Sequence, residues 1–303
     1  MANRASTTKI GIASGSAVLA IVLAIVLIAV TSGASKQGPR ATTAPTAAPA
    51  AGATTSTVPG DLAPALAKIA AVPASVLDTV GIGGQPASQY TGVNPVNVIK
   101  TPSSAQLAEV DGKPVFLFVG ALFCPYCATE RWSLLLALDR FGTFSGVVAS
   151  ASDPTDVYPN TQTFSFAGST YTSPYISFSP VEVETVSRQP LEDPTAEQDT
   201  ILGAWNPGVS IPFLYIGNRY TGGLPNWDNP QYLAGLTRIQ IADDLSNPSS
   251  PVAREIDANA NYLTAAICAV DGGRPASVCD SPGVVAATAQ LKDLPAAAPI
   301  PAS

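Results

Sequence analysis

The chain has no histidine among its 303 residues, and that absence excludes more chemistry than any single residue present suggests. Without imidazole there is no Ser-His-Asp or Cys-His nucleophile pair, and most zinc enzymes and imidazole-ligated copper sites are ruled out. Charge is also scarce, at 12% of residues, whereas hydrophobic residues reach 46% and Gly and Pro number 24 and 28. That balance describes a folded region of low charge density joined to apolar and low-complexity stretches. Positive charge is the scarcer sign. Of 15 Lys and Arg, four (Arg4, Lys9, Lys36 and Arg40) precede the first acidic residue, Asp61, leaving 11 against 22 Asp and Glu from there on. A body of about −11 lacks the basic footprint that phosphate neutralisation requires, so nucleic acid is not an expected partner. Cysteine is limited to four residues in two close pairs, Cys124/Cys127 and Cys268/Cys279, a usage that suits an oxidising compartment.

What is present begins with an uncharged stretch over residues 10–32, apolar throughout from Ala17 to Val30. Roughly 20 apolar residues suffice to span a bilayer, so an uncleaved single-pass anchor is expected after a short cytoplasmic amino terminus, residues 1–9. A cleaved signal peptide ending near Ser32-Gly33-Ala34 is the competing reading, and either one exports the body. Residues 33–60, rich in Ala, Thr and Pro, lack the side chains to offset ordering entropy and read as a disordered tether. The tail over 295–303 reads the same way. The folded domain is therefore expected over 61–294, outside the cytoplasm at the cell membrane.

Within it, Asp61–Ile69 and Pro73–Val80 read as short helices that stop at Gly81, and Val96–Ile99 reads as a short strand. Ala105–Val110 reads as a helical turn halted by Asp111-Gly112. The continuous apolar run Pro114–Gly120 has the pattern of a strand buried on both faces. A helix follows over Pro125–Phe141, with Trp132, Leu135, Leu136 and Leu138 on an apolar face, and Gly146–Ser150 reads as a second inner strand parallel to the first. From about 153 to 190 the pattern turns aromatic and alternating in Thr163–Phe166 and Tyr175–Phe178, suggesting a β-rich insertion, either a β-hairpin or an extended arm. A short helix over Pro194–Ala204 follows, then a hairpin of Ile211–Gly217 with Arg219–Thr221, and helices over Pro230–Leu245 and Pro251–Val270.

The strongest chemical signal is Cys124-Pro125-Tyr126-Cys127 at the junction of the apolar strand and its helix. Unpaired amides and the dipole at a helix N-terminus stabilise a thiolate, and the i, i+3 spacing sets both thiols on one side. Pro125 is tolerated in the first turn because its missing amide would have had no partner. Cys124 is thus expected to be the exposed nucleophile and Cys127 the buried resolving thiol. A zinc or iron–sulfur site would need further ligands, for which only Cys268 and Cys279 remain, and no metal is expected. A purely structural cysteine pair is the other alternative. Cys268 and Cys279 flank the turn Asp271-Gly-Gly-Arg-Pro and read as a structural disulfide, with a second redox pair as the sharper alternative.

These features resemble thioredoxin-fold dithiol oxidoreductases, and Cys-Pro-Tyr-Cys is also the glutaredoxin form of the motif. The resemblance implies a thioredoxin-like α/β central sheet flanked by helices, with extra helices and the β-rich insertion, preceded by the transmembrane helix. It implies that Pro212 in Val209-Ser-Ile-Pro-Phe-Leu-Tyr is the cis-proline facing the dithiol, and that Ile211 offers backbone groups to substrate. Segments Phe118–Trp132, Thr163–Phe178 and Ala258–Cys279 also resemble a membrane-anchored thioredoxin-like family catalogued only as a domain of unknown function. Two departures stand out. Phe118 occupies the place of a buried acid in many thioredoxins, and Glu130, the nearest substitute, reads as an exposed helix glutamate. The expected activity is membrane-anchored, extracytoplasmic thiol–disulfide exchange without a cofactor. Its partners would be exported proteins with thiols or disulfides and a redox partner protein, which the membrane could itself hold. The alternative is a binding or scaffold module of the same fold with no redox turnover. Tyr158, Tyr171, Tyr175, Phe164 and Phe166 read as cross-strand packing, or else as the lining of a peptide groove.

Overall fold

Strand β3 (Lys113–Gly120) is buried at every position after Lys113, because Val, Phe and Leu side chains on both faces of the strand need cover. A computed structural model describes residues 60–83, 96–98 (main chain only), 109–223 and 229–291. The anchor expected over 10–32, the tether over 33–60 save Gly60, and the tail from 295 lie outside the described residues. Among the described residues no single helix is long and apolar enough to cross a membrane.

The fold is mixed α/β. β3 runs antiparallel to β9 (Phe213–Ile216) on one side, with Phe118 opposite Leu214. On its other side β2 (Glu109–Val110) pairs with its start and β8 (Ser177–Glu182) runs parallel to the rest, in the register Phe118–Pro180 and Gly120–Glu182. β10 (Tyr220–Gly223) is antiparallel to β9 and carries β1 (Val96–Val98) outside it. Two smaller antiparallel sheets stand apart: β4 (Thr143–Ser145) with β7 (Thr170–Thr172), and β5 (Val148–Ala151) with β6 (Gln162–Ser165).

Three expectations need correction. The parallel neighbour of β3 is β8, not Gly146–Ser150, whose residues 148–151 form β5 and pair with β6 instead. Thr163–Phe166 and Tyr175–Phe178 do not pair with each other, so the segment over about 153–190 supplies an edge strand of the main sheet rather than a separate hairpin. Pro180 disguises that strand, since proline gives no ladder donor; it is tolerated because, among the described residues, β8 has only β3 beside it. Glu109–Val110, read as the end of a helical turn, is strand β2.

Helix α3 (Pro125–Leu138) starts immediately beyond β3 and is buried on every face except at Tyr126, so it is a core helix rather than an amphipathic one. Glu130, expected at the surface, is 2% exposed. Trp132 packs on Phe164 with ring centroids 4.6 Å apart and donates its indole N–H to the Gln162 carbonyl at 2.9 Å. Phe118 meets Phe166 edge-on at 5.8 Å, and Phe166 stacks on Phe144 at 5.4 Å. Aromatic packing therefore fastens the small sheets to the central one. Gly120 has no side chain because a Cβ there would strike the Phe118 ring.

The remaining helices enclose this unit. α1 (Leu62–Ala70) and α2 (Ala74–Val80) precede the sheet, and α4 (Ala196–Trp205) connects β8 to β9, opened by a Thr195/Gln198 capping box. The single helix expected over Pro230–Leu245 is broken. A 3₁₀ turn at Pro230–Tyr232 is followed by Gly235 at φ +75°, and a Thr237/Gln240 capping box starts α5 (Arg238–Asp244) afresh. Arg238, fully buried, donates to the Thr163 carbonyl (3.0 Å) and the Ser150 carbonyl (2.8 Å) and pairs with Asp61, tying α5 to β5, β6 and the start of α1. α6 (Pro251–Asp271) packs against α3 and ends at Gly272, φ +84°. α7 (Ala276–Cys279) and α8 (Pro282–Leu291) close the domain, and a disulfide joins Cys268 of α6 to Cys279 of α7.

Replacing Cys268 and Cys279 together by Ser reopens a short loop, the partners being 11 apart in sequence, and should lower stability by about 3 kcal/mol in a urea titration. A second expectation concerns Asp257 on α6, which is fully buried with no hydrogen-bond partner for either oxygen among the described residues. Burial pushes its pKa well above the usual carboxylate range. The unfolded chain then loses that proton near pH 3.9 while the fold keeps it, so stability falls as pH rises above about 4 toward the folded pKa. Asp257→Asn should leave stability nearly unchanged at pH 3.5. At pH 7 it should be stabilising, by about 1.4 kcal/mol for each pH unit from the unfolded pKa up to pH 7 or the folded pKa, whichever is lower.

Candidate functional site

Cys124 is the N-cap of α3, held in extended backbone (φ −77°, ψ 121°), and its Sγ accepts the Cys127 N–H at 3.3 Å. A sulfur thus occupies the position where Ser or Asp would ordinarily satisfy a free helix amide. Pro125 follows in the first turn, and the Cys124 carbonyl accepts from Ala128 N at 3.0 Å to start the helical ladder. The Cys127 side chain is fully buried. Cys124, expected to be exposed, is only 5% exposed. It is still the more accessible of the two thiols.

The two thiols titrate in opposite directions. Cys124 lies below the usual thiol range, first because the Cys127 side chain hydrogen-bonds to its sulfur, an effect that burial opposes. The Cys127 and Tyr126 amides and the charge of Arg131 lower it further. Cys127 is pushed well up, mainly by burial, then by its hydrogen bond to Cys124 and the charge there. Arg131 and the Ala121 amide act against that rise. One thiolate and one thiol sharing a proton are the natural resting state of such a pair.

Arg131 had no role in the sequence reading. It is fully buried, and it donates from Nε (2.8 Å) and Nη2 (2.6 Å) to the two carboxylate oxygens of Glu182 at the end of β8. Its Nη2 also donates to the Ala121 carbonyl at 2.9 Å. The available signal was its position, four residues beyond Cys127 and hence on the same helical face. Glu182, 51 residues away, gave no such signal. Glu130 accepts from Asn259 Nδ2 of α6 at 3.4 Å.

The Ile211–Pro212 peptide is cis. Phe213 pairs with Val119, so Pro212 falls level with Gly120, where β3 runs out into the dithiol loop. Pro212 is buried and Ile211 half-buried, packed on the apolar side of the sheet with Val115, Leu117 and Phe213. The segment over 153–190 reaches the dithiol loop at several points. Asp153 N donates to the Phe123 carbonyl and Leu122 N to the Glu184 carbonyl, both at 2.9 Å. The Arg188 guanidinium lies 3.8 Å from the Phe123 ring centroid and pairs with Asp153 (3.5 Å) and Asp156 (3.3 Å). Tyr158 meets Tyr126 edge-on at 6.2 Å. Of the aromatic residues named for this segment, only Tyr158 stands at the site. Phe164 and Phe166 are core residues, Tyr175 packs on Phe141, and the Tyr171 hydroxyl donates to the Leu138 carbonyl at 2.7 Å.

Cys268 and Cys279 are not brought to the dithiol. Asn259 touches Glu130 near the start of α3, and Cys268 lies nine residues further along α6, about 13 Å of helix. Among the described residues no three or more Cys, Asp or Glu gather as metal ligands.

A family model described as a domain of unknown function (DUF929) matches residues 100–204. That span takes in β3, the dithiol, α3, Arg131 and Glu182, and stops before Pro212 and the Cys268–Cys279 disulfide. No curated protein and no solved structure matches the chain.

The opposed thiols give a direct expectation. In the reduced protein, absorbance at 240 nm against pH should show one thiolate forming below the free-cysteine value of about 8.5 and the second only well above it. Iodoacetamide at pH 7 should label Cys124 and leave Cys127 unmodified, as read by peptide mass. Equal labelling of both would contradict the geometry.

Proposed function

We propose that the chain is a membrane-anchored, extracytoplasmic thiol–disulfide oxidoreductase that acts on exported proteins through Cys124 and Cys127. The observation that carries this reading is the split between the two sulfurs, one stabilised as an anion at a helix N-terminus, the other buried and protonated one turn on. The fold reading behind it is thioredoxin-like. Its support is the strand order β8-β3-β9-β10, with β8 parallel and β9 antiparallel to β3, α3 and α4 as connections, and a cis-proline entering β9. The support for anchoring is the uncharged stretch over 10–32 and the low-complexity tether after it.

In this reading the Cys124 thiolate attacks one sulfur of a substrate disulfide. A Cys124–substrate S–S bond forms, the substrate bond breaks, and the departing sulfur takes a proton. Cys127 then gives up its proton and attacks Cys124 Sγ; the Cys124–Cys127 disulfide forms and the second substrate sulfur leaves as a thiol. Two electrons and the Cys127 proton have passed from the pair to the substrate, the first departing sulfur having drawn its proton from solvent, and the reverse sequence oxidises a substrate dithiol. Main-chain groups at Ile211 are the proposed docking point for the substrate strand beside Pro212. A redox partner protein resets the pair.

A second reading, a binding module with a structural cysteine pair, draws on the low exposure of Cys124. Full-length protein in detergent separates the two. Equilibration with a thiol redox buffer should give a reversible Cys124–Cys127 couple, and the protein should accelerate insulin reduction or refolding of a reduced protein. Cys124→Ser should abolish the acceleration, and Cys127→Ser should accumulate a mixed disulfide with substrate. A pair that never exchanges over the accessible range of potentials would rule out the oxidoreductase.

A further inference from the structure

We propose that the buried Arg131–Glu182 pair is the charge device that tunes the dithiol, with Arg131 stabilising negative charge on Cys127 and Cys124 and Glu182 holding and moderating that guanidinium. This rests on the reading of Cys124 and Cys127 as a redox pair and adds a positioning role for two residues outside the motif.

Geometry supports it first. Side chains on a helix lean toward its N-terminus, so Arg131 reaches back along α3 over the turn that carries Cys127. The Ala121 carbonyl joins the guanidinium to the dithiol turn: it accepts from Cys124 N at 3.3 Å and from Arg131 Nη2 at 2.9 Å. Arg131 Nε and Nη2 are committed to Glu182 and Ala121, while Nη1 is buried with no hydrogen-bond partner among the described residues. Glu182 is saturated, accepting from Arg131 on both oxygens and from Phe166 N at 3.3 Å on one. The guanidinium Cζ also lies 5.8 Å from the Phe118 ring centroid, so the residue filling the expected place of an acid on β3 borders a cation instead.

Energetics supports it next. A buried ion pair is a poor stabiliser compared with apolar residues of the same volume, because both charges must be desolvated. Packing alone gives no reason to bury Arg131 and Glu182 beneath the dithiol. The exchange reaction gives one. When Cys127 yields its proton, which ends on the departing substrate sulfur, negative charge develops in a fully buried position. Among the described residues Arg131 is the one cation acting on both thiols. The other ionisable groups around the pair are Glu130, held by Asn259, Glu182 itself, Tyr126 facing Tyr158 and Asp156, and Arg188 over the Phe123 ring. Arg188 is half exposed and paired with Asp153 and Asp156, and the chain has no histidine.

Two variants of the full chain test this with opposite signs. Glu182→Gln keeps the guanidinium and removes its counter-charge. Arg131→Met with Glu182→Leu removes both charges and leaves no buried ion uncompensated. In reduced protein the thiolate step at 240 nm should move to lower pH in Glu182→Gln. It should move up by about one pH unit or more in the double variant, a tenfold or larger loss of thiolate at a fixed pH below the step. The reduction potential should rise in the first and fall in the second. Circular dichroism confirms that each is folded, and should Glu182→Gln fail to fold, the double variant decides alone. A folded double variant with an unshifted thiolate step and potential overturns the proposal, as do shifts of the same sign in both variants. A chain that never forms the Cys124–Cys127 disulfide overturns the redox reading instead, while the thiolate step still reports on Arg131.

Discussion

The enclosure of helix α3 obliges every polar group it carries to find a partner inside the protein, since water reaches almost none of the helix. Thr129 Oγ1 turns back to the Pro125 carbonyl at 3.1 Å, Trp132 reaches the Gln162 carbonyl, and Arg131 finds Glu182 and Ala121. The Ala128 carbonyl, already within the helix, takes a further donor from Thr163 Oγ1 at 2.6 Å. Gln162 and Thr163 of β6 and Glu182 of β8 belong to strands packed against α3, and Asn259 of α6 reaches Glu130, so β6, β8 and α6 are fixed in position by hydrogen bonds as well as by apolar contact. At the helix N-terminus the same requirement falls on a sulfur, which is how a packing constraint becomes chemistry.

Electrostatics around the dithiol follows from that enclosure. In water a guanidinium several ångströms from a thiol would matter little, whereas in a buried setting its field is only weakly screened. The absence of histidine and the apolar residue at 118 leave the helix terminus and Arg131 as the sources of buried positive potential at the thiols, Arg188 being half exposed and paired with Asp153 and Asp156. The acidic surface of the body lies outside this enclosure and is screened by solvent and salt.

Sequence made some of this legible and hid the rest for identifiable reasons. The dithiol, β3, α3 and the β9–β10 hairpin are local signals: a motif, an unbroken apolar run, a turn at Gly217-Asn218. β8 was hidden because strand pairing is non-local, and Ser177–Glu182 alternates polar residues and contains Pro180, the pattern of a peripheral strand. The long helix read over 230–245 failed at Gly235, where a left-handed residue breaks the apolar period without disrupting its appearance. Glu130 was misread because an amphipathic helix was assumed, and the cover over its polar side comes from α6, more than a hundred residues away. The Arg131–Glu182 pair could be seen only once β8 was known to lie beside β3.

The segment over 153–190 has one further consequence. Its early part forms the rim of the dithiol through Asp153 and Tyr158, and its later part is the strand that carries Glu182. Rim and strand are thus one length of chain, anchored to the dithiol loop near both ends by Asp153–Phe123 and Leu122–Glu184. Alternation along a strand means that a slip of β8 by a single residue would turn Glu182 to the opposite face of the sheet and withdraw it from Arg131. The segment therefore acts as a ruler: its length between the two anchors fixes both the opening above the sulfurs and the phase of the carboxylate beneath them.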